Sequence, residues 1–243
     1  KEKKLDFLLD VGCGGGQSVN IFAPYFHEVL AIDPSENQIK EARSQNKFAH
    51  VTYKAGFAEK LPCDDVSVDV IIAGASVHWF DRQKFYEEAD RVLKPGGRLV
   101  MFGYWSPKLV PLGLPGDVTR LSEIGSQLIH DAYLFGAKWN PDVKEVYLLI
   151  YNKYTKIFNE IKYAKKLRLN HFTEGKAWSL TDVKGLIQSI DSYEPYMKRS
   201  DKSKISEQFV RSLKESWGCT GMENSDVKMK VIFNFFVIVA DKP

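Results

Sequence analysis

Up to about residue 105, apolar and polar positions alternate in two rhythms. Short continuous apolar runs at 5–11, 29–32, 50–53, 68–73 and 98–102 have the form of strands buried on both faces. Between them, helical spacing holds over 17–26, 36–46 and 82–93. In the last of these Phe85, Ala89 and Val92 share one face, and Lys94-Pro95-Gly96-Gly97 stops the helix sharply. This strand–helix alternation predicts an α/β fold, with a mostly parallel sheet joined by right-handed crossovers.

The rhythm breaks at Trp105-Ser106-Pro107. From 107 to 140 the chain carries Pro107, Pro111, Pro115 and several glycines, with a helical pattern at 118–135. A second helix is expected from 143 to about 165, where Tyr147, Ile150, Tyr151, Tyr154, Ile157, Phe158 and Ile161 recur at helical spacing. Then follow a strand-like stretch at 166–178, a helix opened by Ser179 or Thr181 as N-cap, a charged helix at 203–217 and a final strand at 228–240. The middle reads as a helical insertion over the carboxyl ends of the sheet.

Composition narrows the setting without naming a chemistry. The 243 residues suffice for one α/β domain with a sizeable insertion, and 44% hydrophobic residues allow a packed core. A net charge of +3 leaves no electrostatic footprint for nucleic acid. Cys13, Cys63 and Cys219 are widely separated and form no CxxC pair, which suits a reducing compartment better than a disulfide framework or a zinc site. The longest apolar run, at 231–240, is about half of what spans a bilayer and contains Asn234. Asp6 and Asp10 interrupt the apolar start, so no signal-peptide core forms. The expectation is a cytoplasmic protein with neither membrane nor nucleic acid as partner.

The candidate chemistry begins where the first strand meets the first helix, in Asp10-Val11-Gly12-Cys13-Gly14-Gly15-Gly16-Gln17-Ser18. Gly12 and Gly14 permit a tight turn and a close approach of backbone to ligand. Amides at the following helix start can face a carboxylate or phosphate. Asp33 closes the second strand, where a carboxylate can accept from both hydroxyls of a ribose. A dinucleotide fingerprint fails here, because Gln17 stands at the third glycine position.

What stands instead closely resembles class I S-adenosylmethionine-dependent methyltransferases. DVGCGGG and Ala31-Ile32-Asp33-Pro34-Ser35 are similar to the first two motifs of that superfamily. Further matches follow in order at 56–62, 68–71 and 93–97, so the resemblance covers roughly residues 5–105. It implies a Rossmann-like seven-stranded sheet in the order 3-2-1-4-5-7-6, with a helical cap inserted after the fifth strand. It also implies S-adenosylmethionine as cofactor and S-adenosylhomocysteine as product. By position, Asp10 and the loop Gly12, Cys13, Gly14, Gly16 with Gln17 would hold the methionine part. Asp33 would take the ribose, and Pro34, Ser35, Phe57 and Ala58 the adenine. Many relatives carry Asp where Phe57 stands, so backbone contacts or Glu59 would serve instead. In this superfamily a helical segment usually precedes the first strand. Here that strand begins almost at residue 1, so either the sequence is a truncation or the segment is absent.

Residues leaving the fourth strand face the reacting group, because ligands lie outside the carboxyl ends of parallel strands. They read Ala73-Gly74-Ala75-Ser76-Val77-His78-Trp79-Phe80-Asp81. The Asn/Asp-Pro-Pro-aromatic motif of enzymes that methylate base or glutamine nitrogens is missing at this place, and Asn140-Pro141-Asp142 lies far away in sequence. SVHWFD, with Gly103-Tyr104-Trp105-Ser106-Pro107 after the fifth strand, resembles the trans-aconitate methyltransferase group and its small-molecule relatives. Segments 177–180 and 189–193 look similar to that group's cap. Ala73, Gly74, Ala75, His78 and Trp79 are thus cofactor candidates, and Ser76, His78, Trp79, Tyr104 and Trp105 substrate candidates.

His78 is the catalytic candidate, with three readings open: a general base, a group orienting the substrate by hydrogen bonding, or a histidine satisfying backbone groups. Trp79 reads as a pocket wall in preference to core. Lysines 144, 153, 156, 162, 165 and 166 read as a solvated face in preference to a basic rim for an anionic substrate. No metal-ligand set is spaced along the chain.

These readings converge on one domain, 1–243, with a cofactor half at 1–105, a mostly helical cap at 106–180, and C-terminal helices with the last strand at 181–243. The expected reaction is in-line transfer of a sulfonium methyl to a small-molecule oxygen, a carboxylate, by a monomeric enzyme. N- or C-methylation, or a silent cofactor-binding protein, are the alternatives.

Overall fold

The computed structural model describes residues 4–139, 141–191 and 202–243. Up to Tyr104 the strands are β1 (Leu5–Val11), β2 (Phe26–Asp33), β3 (Val51–Ala55), β4 (Val68–Gly74) and β5 (Leu93–Tyr104). The helices among them are α1 (Gln17–Phe22), α2 (Glu36–Ser44) and α3 (Arg82–Val92). α1 stops earlier than its periodicity suggests. Pro24 has no amide to donate, and the chain tightens into a 3-10 turn at Ala23–Tyr25 before entering β2.

β1 lies between β2 and β4, all parallel, with Leu9 level with Leu30 and Ile71. Leu8, Leu9, Ile32, Ile71 and Ile72 are buried. Each such side chain contributes about 1.5–3 kcal/mol, which is why these strands read as continuous apolar runs.

After β5 come β6 (Lys108–Leu112), α4 (Val118–Trp139), α5 (Pro141–Tyr151), α6 (Thr155–Glu160), β7 (Lys165–Ser179), α7 (Leu180–Asp191), α8 (Lys202–Ser216) and β8 (Lys228–Asp241). Three details differ from the sequence reading. Among the described residues the sheet has eight strands, not seven, in the order β3-β2-β1-β4-β5-β8-β6, with β7 paired to β8 off that path. A strand, not a helix, follows β5 first, because Leu109 and Val110 pair antiparallel with Val231 and Lys230. The helix expected over 143–165 is two, α5 and α6. Lys153 and Tyr154 take left-handed backbone angles, φ 50° and 56°, which no helix continues through.

The chain divides into two compact units. The first takes the chain up to Gly103, then Lys153–Asn170 and Phe236–Pro243; the second takes Tyr104–Asn152 and His171–Phe235. Val19, Val29, Ile39 and Ile72 belong to the core of the first. The second is organised around Leu109, Ile129, Val183, Leu213 and Trp217, whose indole N–H donates to the Leu121 carbonyl at 2.8 Å. Among the described residues no helix is long and apolar enough to cross a membrane.

Candidate functional site

The β1–α1 loop turns on Gly12, Gly14 and Gly16, at φ 72°, 52° and 87°. Only glycine takes such angles without strain. Gly12 and Cys13 both donate to the Ile32 carbonyl, at 2.8 and 3.0 Å, tying the loop to the end of β2. Asp33 continues the link. One carboxylate oxygen accepts from the Gly14 amide at 3.0 Å and the other from the Ser35 amide at 2.9 Å.

A Cβ on Gly12 would stand 2.5 Å from the Ser76 Cβ, and one on Gly16 would stand 2.8 Å from the Tyr53 hydroxyl. At Gly14 nothing comes closer than 3.7 Å. The protein's own packing therefore fixes Gly12 and Gly16. The space beside Gly12 is taken by Ser76, whereas the space beside Gly14 is open.

Asp10, at the end of β1, is fully buried. The Ser18 hydroxyl donates to its Oδ2, and its Oδ1 has no hydrogen-bond partner. Burial pushes its carboxyl up to about 7, with Asp33's charge acting the same way and the Ser18 bond opposing. A buried oxygen without a donor costs about 1–3 kcal/mol.

The remaining loop and adenine candidates are placed individually. Burial holds the Cys13 thiol well above its usual range, so it stays protonated. Gln17 is exposed at the first position of α1. Ser35 is the N-cap of α2, its hydroxyl accepting from the Gln38 amide, and Pro34 beside it is exposed. Phe57 is 64% exposed and Ala58 is buried. Glu59 accepts from the Asp81 amide at 2.8 Å, so this carboxylate braces the start of α3.

At the end of β4, Ala73 is buried and Gly74 packs on Phe102, whose ring a Cβ would meet at 2.4 Å. Ala75 is left-handed, φ 51°, and donates to the Phe102 carbonyl at 2.7 Å. The buried Ser76 hydroxyl donates to the Val11 carbonyl at 2.8 Å, and a 3-10 turn follows at Val77–Trp79. On that turn His78 is 7% exposed, with its Nδ1 2.5 Å from the Tyr154 hydroxyl. The rings of Trp79 and Tyr154 lie 5.2 and 5.8 Å from the imidazole. Burial, assisted by the Arg82 charge, pushes His78 down to about 3, so it is neutral at pH 7.

Tyr154 is the residue the sequence reading missed. It was one aromatic in a helical stripe, and no local pattern marks it as the partner of His78.

Tyr104 and Trp105 belong to the second unit. The Tyr104 ring lies 5.0 Å from that of Phe233. Trp105 donates its indole N–H to His130 Nδ1 at 2.9 Å, and Tyr133, Tyr147 and Tyr151 surround its ring. Of the cap-like segments, Asp191 ends α7, while Ser192 and Tyr193 lie outside the described residues, as does Asn140. Among the described residues no group of three His, Cys, Asp or Glu could hold a metal ion. A cavity of about 1140 Å³ opens along α3, where Arg82 pairs with Glu160 at 2.8 Å and the Tyr163 hydroxyl donates to Asp90 at 3.1 Å.

Comparison with known proteins gives this geometry a context. Residues 9–101 match the family model described as a methyltransferase domain. A Dictyostelium discoideum protein named as a methyltransferase is 27% identical over 210 residues, spanning 85% of this chain and 72% of its own. The 27-O-demethylrifamycin SV methyltransferase of Amycolatopsis mediterranei is 33% identical over 153 residues, 58% of this chain and 56% of its own. The solved structure of an Anaeromyxobacter dehalogenans protein named as a type II methyltransferase superposes with a TM-score of 0.68 at 22% identity, over 97% of this chain and 89% of that one.

Proposed function

We propose that the chain, whose residues 9–101 match a methyltransferase-domain family model, is a class I, S-adenosylmethionine-dependent methyltransferase that transfers the cofactor's methyl group to a carboxylate oxygen of a small molecule, giving a methyl ester. The residues at the loop suit that cofactor. Asp10 carries a buried carboxylate oxygen without a partner, which a donor on a cationic ligand would satisfy. Gly14 is open on its Cβ side. In this reading Asp10 and loop 12–16 hold the methionine part and Asp33 the ribose, with Pro34, Phe57 and Ala58 beside the adenine. When bound, S-adenosylmethionine supplies a methyl group already activated on a sulfonium. The chain's own task is then to orient the acceptor and exclude water.

One observation carries the choice of a carboxylate. His78 is buried and held neutral down to about pH 3, far from the range in which a base works at neutral pH. An acceptor beside it must arrive with its lone pair already available. A carboxylate, with an ordinary pKa near 4, does so at pH 7. His78 orients it by a hydrogen bond. A hydroxyl acceptor is the second reading, favoured by the relative named for a 27-O position, and it needs a base elsewhere.

The test is a screen of small carboxylic acids with isotopically labelled cofactor, reading methyl ester formation. With the acid that is turned over, His78→Asn keeps most of the turnover and the rate is flat between about pH 6 and 8. Loss of turnover by about 10²-fold or more in His78→Asn, or label passing only to alcohols or amines, overturns the carboxylate assignment.

A further inference from the structure

Tyr154 is held in place unusually firmly for a residue outside any motif. It is fully buried, and its ring meets that of Phe236 edge-on at 4.7 Å and 83°. A Cβ on Gly103 would come within 3.2 Å of its hydroxyl and 2.8 Å of the Phe236 ring, so glycine at 103 is what admits this pair. Two consecutive left-handed non-glycine residues, Lys153 and Tyr154, deliver the side chain. Each such conformation costs about 1–2 kcal/mol and persists only where surrounding packing enforces it. The hydroxyl so delivered lies 2.5 Å from His78 Nδ1.

The chemistry of the two groups bears on which atom donates: at 2.5 Å they are in hydrogen-bond contact, a phenol is a good donor, and an unprotonated imidazole nitrogen is a good acceptor.

We propose that the Tyr154 hydroxyl donates to Nδ1 of His78 and locks the imidazole in the tautomer with its proton on Nε2, which makes Tyr154 a positioning residue for the transfer reaction. A ring fixed this way offers Nε2–H, a donor, and no lone pair. It can hold an anionic oxygen and cannot remove a proton from a hydroxyl. This selects acceptors that are already anionic, carboxylates above alcohols. The consequence for the acceptor rests on the reading given under Proposed function; the tautomer itself does not.

Nitrogen NMR of the full chain with ¹⁵N-histidine separates the two. The His78 signals are assigned by their disappearance in His78→Asn. At pH 7 the parent should show His78 with Nδ1 unprotonated and Nε2 protonated, unchanged on lowering the pH to 5. In Tyr154→Phe, which keeps the ring and its packing, the lock is gone and the two tautomers should mix. Gly103→Ala, which presses on the hydroxyl, should shift the same signals with the phenol retained. With a turned-over acid, Tyr154→Phe should raise the acceptor KM about two- to tenfold, as for one lost hydrogen bond, and change kcat less. A parent spectrum with the proton on Nδ1, or a Tyr154→Phe spectrum identical to the parent's, overturns the proposal. An acid screen that fails while the parent shows the Nε2–H tautomer removes the ester reading and leaves the lock standing.

Discussion

The loop after β1 and the turn after β4 both set polar groups at the carboxyl ends of neighbouring strands, and they are built in opposite ways. After β1 the left-handed positions are glycines, and the bonds that fix the loop run to Ile32 and Asp33 on the next strand. After β4 the left-handed residue is Ala75, and the partner of His78 arrives from position 154, itself left-handed. The first is a conformation that local sequence prefers. The second is one that local sequence resists and distant packing enforces. Their buried polar groups differ in parallel. Asp10 keeps one oxygen without a partner, as a binding site can, whereas the His78 ring is already bonded.

The two regions touch at Gly12 and Ser76, and Gly12→Ala is the sharpest way to break the contrast. Its Cβ would collide with the Ser76 Cβ at 2.5 Å while the residue is held at φ 72°. Strain and overpacking together should cost about 2–5 kcal/mol. Denaturant unfolding reads that loss; an unchanged midpoint would mean the two ends of the strands are not packed as described.

Asp10→Asn comes next, and its effect appears in the pH dependence. Asp10 has its folded pKa raised from 3.8 to about 7, so the ligand-free protein binds more protons than the unfolded chain between those values. Its contribution is therefore fully present below about pH 4 and lost as pH rises through 7, a swing on the order of 4 kcal/mol. In the Asn variant that part of the slope should vanish, as seen in unfolding curves at pH 4, 5.5 and 7. The same slope in both proteins would place the proton elsewhere. Bound cationic cofactor should flatten the parent's profile too.

The smallest effect is on binding. Asp33→Ala removes the acceptor shared by the Gly14 and Ser35 amides, and cofactor affinity should fall by roughly 1.5–3 kcal/mol, the range for hydrogen bonds to a charged group. Calorimetry that finds parent-like affinity would show the loop to be set by its glycines alone.

The same contrast decides what the sequence made legible. The strands from Leu5 to Phe102, the glycine loop and Asp33 are written in short-range patterns, and they could be read in order. The break of 143–165 into α5 and α6 could not, because Tyr147, Ile150, Tyr151, Tyr154 and Ile157 fit one helical stripe well. What interrupts it is the burial of Tyr154 in the first unit, a tertiary effect without a local signal. β6 was hidden for a similar reason: Pro111 argues against a strand, and pairing with β8 overrides it. The pairing of Trp105 with His130 joins two residues that nothing in the periodicity connects.

One arrangement bears on how the protein reaches its working form. The first unit is assembled from separate stretches of chain, and Gly103, Tyr154 and Phe236 each lie at or beside the boundary of one of them. All three pack on one another next to His78. The chain leaves that point and returns to it twice, so the contacts there join residues far apart in sequence, and bringing such residues together carries an entropic cost. The bonds that fix the β1–α1 loop run over a shorter span, from Gly12, Cys13 and Gly14 to Ile32 and Asp33, although Gly12 also packs on Ser76. The Gly103–Tyr154–Phe236 junction thus makes the surroundings of His78 depend on three stretches far apart in sequence.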